Sequence, residues 1–163
     1  MPPPNLPAVD IRPEFASKQG AVKVVYYRSQ LQMTYEGAAP ALSTAIAKAK
    51  ELGIAQNIAV VDAGASLLAF ARMDGARLVA HHSATSEAQT AASLRDPTGH
   101  LPPQFRADLA VATGGRSINI IGGLPIVIEG QVIGAVGVSS GSDDENLAVA
   151  EAARDELIWR SGQ

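Results

Sequence analysis

The chain has 163 residues, 47% of them apolar but only seven aromatic (three Phe, three Tyr, one Trp), and a formal net charge of −3. Its 13 Lys and Arg are scattered and form no basic stripe to neutralise phosphates, which argues against nucleic acid, and the lack of cysteine removes disulfides, thiolate nucleophiles and Cys-based zinc or haem ligation. No apolar run reaches the ~18 residues of a membrane span, so a soluble, cytoplasmic protein without membrane partners is expected.

A chain of this length fits one domain that buries about 70% of the surface its unfolded form exposes. With so few aromatics, Ala, Val, Ile, Leu and Gly must do the packing, and elements can approach closely. Five prolines in the first 13 residues predict an extended leader over 1–20, ahead of a single domain over 21–163. A processed Pro2 amine would suit tautomerase chemistry, but Pro3 hinders removal of Met1. The run Ala21 to Met33 is β-rich at first and reads as an added edge strand or a lead-in.

From Pro40 to Leu52 the residues Leu42, Ala45, Ile46, Ala49 and Leu52 recur at helical spacing, with Gly53 where a terminating glycine belongs. Two strands follow, Asn57 to Val61 and Ser66 to Met73, joined by Asp62-Ala63-Gly64-Ala65. That connection is too short for a parallel crossover and predicts an antiparallel hairpin. After Asp74-Gly75 a helix is predicted from Ala76 to Leu94, then a break through "RDPTGHLPPQ" and a short helix from Phe105 to Ala112. Ser117 to Ile121 reads as a strand. "GGLPIVIEGQVIGAVGV" reads as a hairpin turning at Glu129-Gly130, and Ser142 with Glu145 matches a capping box opening a last helix through Trp159. The predicted fold class is α+β, a single antiparallel sheet of about five strands with helices packed on it.

The helix around "VAHHSATSEAQTAAS" carries the chemistry. At about 100° per residue, His82, Ser86, Gln89 and Ser93 share a polar face, while Ala80, Ala84, Ala88 and Ala91 form a thin stripe suited to lying close on a sheet. His81 borders that stripe on one side and Glu87 on the other. His81, His82 and Glu87 are the candidate catalytic set, because imidazole titrates near neutral pH and burial pushes a carboxyl up to meet it. The plainer reading leaves the histidines in solvent or at a subunit interface. Adjacent histidines diverge on a helix and chelate one ion poorly, so no metal site is assigned. Arg72 and Asp74 at the end of the second strand are candidate substrate anchors, or a strand-end ion pair and a cap. Gly122 and Gly123 offer close backbone approach to a ligand, or an irregular strand entry. The loop before the last helix is an N-terminus already filled by Asp143, Asp144 and Glu145, which disfavours phosphate.

Four motifs in register, "VVDAGASLLAFARMDGA", Thr90 to Ala92, "GGLPI" at Gly122 to Ile126, and "IGAVGVSSGSDDENLAVAEAA", resemble the GlcG/HbpS-type family of haem-binding or haem-degrading-like proteins, related to the C-terminal domain of PduO-type proteins. The resemblance spans roughly Leu42 to Leu157. It implies a small α/β domain that is frequently homo-oligomeric and, in some members, a haem or corrinoid-related ligand. Two departures stand out. The family's lysine before its A-x-T-A-A pattern is replaced by Glu87, and the N-terminal histidine of the haem binders has no counterpart, since no histidine precedes His81. A small-molecule binder, with haem a candidate cofactor and a homo-oligomeric state, is the leading expectation. A cofactor-independent enzyme for isomerisation, elimination or hydrolysis of a small anionic or aromatic metabolite is the alternative, and a ligand-free structural oligomer the third.

Overall fold

The computed structural model of the chain describes Tyr26 and residues 29–162. The leader expected over 1–20, with Pro2 in it, and most of the 21–33 segment lie outside the described residues. Eight elements follow in order: α1 Tyr35–Glu51, β1 Asn57–Asp62, β2 Leu67–Arg72, α2 Ala80–Leu94, α3 Phe105–Ala112, β3 Gly123–Ile128, β4 Gln131–Ser139 and α4 Asp143–Ser161.

Local chemistry places most of the boundaries. In the first hairpin the Asp62 carboxylate accepts the Gly64 and Ser66 amides at 2.8 and 2.9 Å, which holds the turn while Ala65 adopts φ 62°. In the second, Glu129 and Gly130 both take positive φ, 50° and 73°, the geometry a two-residue hairpin turn needs. The capping box at Ser142 and Glu145 forms as expected and starts α4 at the next residue. Two helix starts differ from expectation. α1 begins ahead of Pro40 because the Thr34 hydroxyl accepts the Gly37 amide at 3.3 Å and caps it there. α2 begins at Ala80, since the Ala76 and Ala80 amides close single turns onto the Met73 and Arg77 carbonyls before it.

The strands pair antiparallel throughout, in the order β2-β1-β4-β3. The segment expected as a strand at Ser117 to Ile121 is not one. Its Ile118 amide donates to the Thr90 hydroxyl at 2.9 Å, and the Asn119 side chain is held by both backbone groups of Leu101, so its polar groups are satisfied by loop and helix. The described sheet therefore has four strands, and the fold is the expected α+β arrangement. Beside it the Met33 amide donates to the Ile133 carbonyl at 2.9 Å. No helix among the described residues is long and apolar enough to cross a membrane.

Three layers result. On one face α1 and α4 cover Ile58, Val60, Leu124, Ile126, Val136 and Val138. On the other, α2 lies across β1, β4 and β3 and buries Ala84, Ala88, Ala91 and Ala92 against Ala59, Val61 and Ala135. α3 has no buried residue.

Candidate functional site

The alanine stripe on α2 does what its width allows, and two glycines make the fit possible. A Cβ on Gly137 would lie 2.1 Å from the Ala84 carbonyl oxygen and 2.5 Å from the Ala88 nitrogen, so helix backbone rests almost directly on strand backbone. A Cβ on Gly123 would lie 2.4 Å from the Glu87 carbonyl oxygen. On the β3 side of this seam sits the Glu87 side chain, fully buried, with Gly122 so near that a Cβ there would be 2.4 Å from Oε2. Gly122 has φ 150°, which only glycine adopts easily.

Neither Glu87 oxygen is in hydrogen-bonding geometry with a partner among the described residues. Burial away from water raises its pKa to about 9; the neighbouring Asp143 charge adds to the rise, while the nearby Ser139 hydroxyl and Val138 backbone partly offset it. At neutral pH the side chain is therefore an uncharged acid, able to donate a proton in a hydrogen bond.

The histidines lie elsewhere. His81, half-buried at the start of α2, packs its ring against Phe70 of β2 at 4.7 Å between centroids, and the exposed His82 ring stacks on it at 4.9 Å. Among the described residues neither imidazole makes a side-chain hydrogen bond. β2 is an edge strand among the described residues, and alternation puts Arg72 on the same face of it as Phe70. Arg72 is exposed, and Asp74 is exposed in the turn that follows.

The candidate residues thus fall into two groups. Glu87, Gly122 and Gly123 meet at the β4–β3 side of the sheet; His81 and His82 stand over Phe70 of β2, with Arg72 two residues along the same strand face. With strands about 4.8 Å apart, the two groups are roughly 10 Å or more from one another, and the structure does not join His81 and Glu87 in one hollow. Phe70, the floor of the histidine stack, was not among the sequence candidates. Its signal was a single aromatic two residues before Arg72 in a strand otherwise aliphatic. Gln56 was missed as well: it is fully buried at the entry to β1, with neither its side-chain nitrogen nor its oxygen partnered among the described residues.

Residues 33–155 match the family described as haem degrading protein HbpS-like. The chain belongs to that family. It is 35% identical over 114 residues to an uncharacterised 15.0 kDa protein from the dhaT-dhaS intergenic region of Citrobacter freundii, spanning 67% of this chain and 80% of that protein. It is 39% identical over 84 residues to protein GlcG of Escherichia coli, spanning 51% of this chain and 63% of GlcG. Among solved structures, the PduOC:haem complex superposes with a TM-score of 0.71 at 23% identity, covering 77% of this chain and 95% of that one, a likeness of fold. The GlcG/HbpS-type resemblance read from the four motifs, with its link to PduO, is thereby established for this HbpS-like chain.

Proposed function

We propose that this HbpS-like protein binds a flat, largely apolar small molecule, haem or a related tetrapyrrole, over the β2 edge. The observation that carries the reading is the half-buried His81 ring held between Phe70 and His82. The residues present fit such a group. Stacking fixes the plane of the His81 imidazole and leaves the edge of the ring, where the nitrogen lone pair lies, unengaged among the described residues. Leu78 and Val79, both 74% exposed, and Leu67, 50% exposed, offer apolar cover nearby. Arg72 supplies a cation for an anionic edge such as a propionate. Haem, when bound, supplies an iron centre that exchanges electrons and accepts ligands; the chain's part is to present the imidazole, shield the ring and pair its carboxylates. A haem-bound neighbour of the same fold and the family's description support this choice of ligand.

The test is a haemin titration of the full chain followed in the Soret region. A saturable band shift is expected for the native protein and for the His82→Ala, His100→Ala and Glu87→Gln variants, and its loss for His81→Ala. A spectrum that never saturates would remove the proposal. The exposed apolar residues of β2 and the α2 entry, with an α3 that buries nothing, also support a homo-oligomer, which we assign to the cytoplasm. The competing reading, an acid/base enzyme using His81, His82 and Glu87, has less support. Its acid is sealed under α2 and its imidazoles stand over the opposite edge of the sheet.

A further inference from the structure

Residues 100–121, the stretch between α2 and β3 that includes α3, contribute nothing to the core on either face of the sheet. Asn119 alone in this stretch is buried, and its side chain is used up inside it. The Asn119 amide group donates to the Leu101 carbonyl at 2.6 Å, and its oxygen accepts the Leu101 amide at 3.2 Å. Among the described residues the other hydrogen bonds of 100–121 also close within it, with two exceptions. The Ser86 hydroxyl donates to the Gly115 carbonyl at 3.0 Å, and the Ile118 amide donates to the Thr90 hydroxyl at 2.9 Å. Both pins are polar and both come from one face of α2. A stretch bonded mainly to itself, with no apolar anchor in the body, opens at a lower free energy than the sheet beside it.

Its two ends are suited to that movement. Thr98 and Gly123 clamp them together: the Thr98 amide donates to the Gly123 carbonyl and the Gly123 amide to the Thr98 hydroxyl, both at 2.9 Å. Between the clamp and the stretch stand Gly99 and Gly122, with φ 92° and 150°. Glycine changes backbone conformation at little steric cost, so rotation at these two positions swings 100–121 while the clamp holds. Gly122 also lies against the Glu87 carboxyl, and the pins at Ser86 and Thr90 straddle Glu87 along the helix.

We propose that residues 100–121 are a lid that opens as one unit about Gly99 and Gly122, releasing the pins to Ser86 and Thr90 and bringing the Glu87 carboxyl to water. The lid shares no residue with the histidine stack.

Opening is thereby coupled to charge. The charged group that faces Glu87 is Asp143 at the start of α4, an anion. β4 adds the Ser139 hydroxyl and the Val138 backbone, β3 and its lead-in present Gly123 and Gly122, and His81 and His82 of the same helix stand over Phe70. Burial holds the carboxyl uncharged under the closed lid, whereas water lets it ionise when the lid is open, so opening releases a proton and is favoured as pH rises.

Hydrogen exchange of the full chain, resolved by residue with nuclear magnetic resonance, is the test. The amides of Thr113 and Gly115, bonded inside the lid, should exchange through the same opening as that of Ile118, about 100-fold or more faster than amides of β1 and β4. Thr90→Val removes the Ile118 pin and Ser86→Ala the Gly115 pin. Each should raise the opening constant of the whole lid by about 10-fold, including at Thr113, whose amide bonds to Leu109. After correction for the intrinsic exchange rate, the opening constant should rise by about 10-fold per pH unit near neutrality in the native chain and stay flat in Glu87→Gln. Acceleration confined to the residues beside each lost pin, lid amides as slow as those of β4, or the same pH response in Glu87→Gln would each overturn the proposal.

Discussion

The two faces of the sheet are packed by different rules. Towards α1 and α4 the strands present Ile58, Val60, Leu124, Ile126, Val136 and Val138, branched side chains that fill the space between sheet and helices. Towards α2 they present Ala59, Val61, Ala135 and Gly137, met by the alanines of the helix, so backbone sits almost on backbone. Side chains can shift among rotamers to absorb a change of volume; backbone held by its own hydrogen bonds cannot. The thin face should therefore be rigid and intolerant of addition, and the thick face compliant. Two of the sequence candidates on α2, His81 and Glu87, sit along the borders of the thin face, where a small displacement of the helix would move them together.

The largest effect is expected where the thin face is thickened by one methyl. Gly137→Ala would place a Cβ 2.1 Å from the Ala84 carbonyl oxygen, and the atom it meets is backbone. α2 must lift, exposing its alanine stripe and the Glu87 pocket. A loss on the order of 4 kcal/mol, read by urea denaturation, is expected, at the upper end of what overpacking costs. A loss below about 1 kcal/mol would show that the helix slides freely and would erase the distinction between the faces.

Next in size is the buried acid. Below its ordinary value of 4.5 the Glu87 carboxyl is protonated in both the folded and the unfolded chain. Between 4.5 and the folded value of about 9 it ionises only on unfolding, so stability falls as pH rises through that window and levels off above it. By pH 7 this amounts to about 3 kcal/mol. Glu87→Gln, nearly the same shape as the neutral acid, cannot ionise. It should match the native protein near pH 4, exceed it by about 3 kcal/mol at pH 7 and show a flatter stability profile across the window. Parallel profiles for the two proteins would mean that water reaches the carboxyl and that the seam is open.

The packing of the thin face was readable from the chain, because Ala80, Ala84, Ala88 and Ala91 repeat on one side of a helix with nothing bulky among them. The turns were readable too, from Asp62 ahead of Gly64, from Glu129-Gly130, and from Ser142 ahead of Glu145, since each is a bond between near neighbours. What escaped depends on distant partners. Ile118 and Ile120 look like strand residues, yet the Ile118 amide is taken by a hydroxyl 28 positions earlier. A helical projection put His81 and Glu87 on the two borders of one stripe, but it holds no information on which strand underlies each border. The order β2-β1-β4-β3 sends one to Phe70 and the other to Gly122. Gln56 is an ordinary polar residue in sequence and becomes notable only because nothing among the described residues bonds to its buried side-chain amide.

The smallest effect is expected on the thick face, and it is the control for the other two. Ile126 is fully buried beneath α4 among Leu124, Val136 and Val138, all side chains with room to readjust. Ile126→Val removes one methyl group without changing branching at Cβ, and partial closure of the small void should limit the loss to about 1 kcal/mol by urea denaturation. The size of that loss measures compliance. If this deletion costs as much as the methyl added at Gly137, both faces are equally rigid and the close seat of α2 explains nothing particular about the thin side. If it costs about 1 kcal/mol while Gly137→Ala costs several times more, adding to the thin face is far more disruptive than removing from the thick one, and the position of Glu87 and His81 follows from backbone contact rather than from the core as a whole.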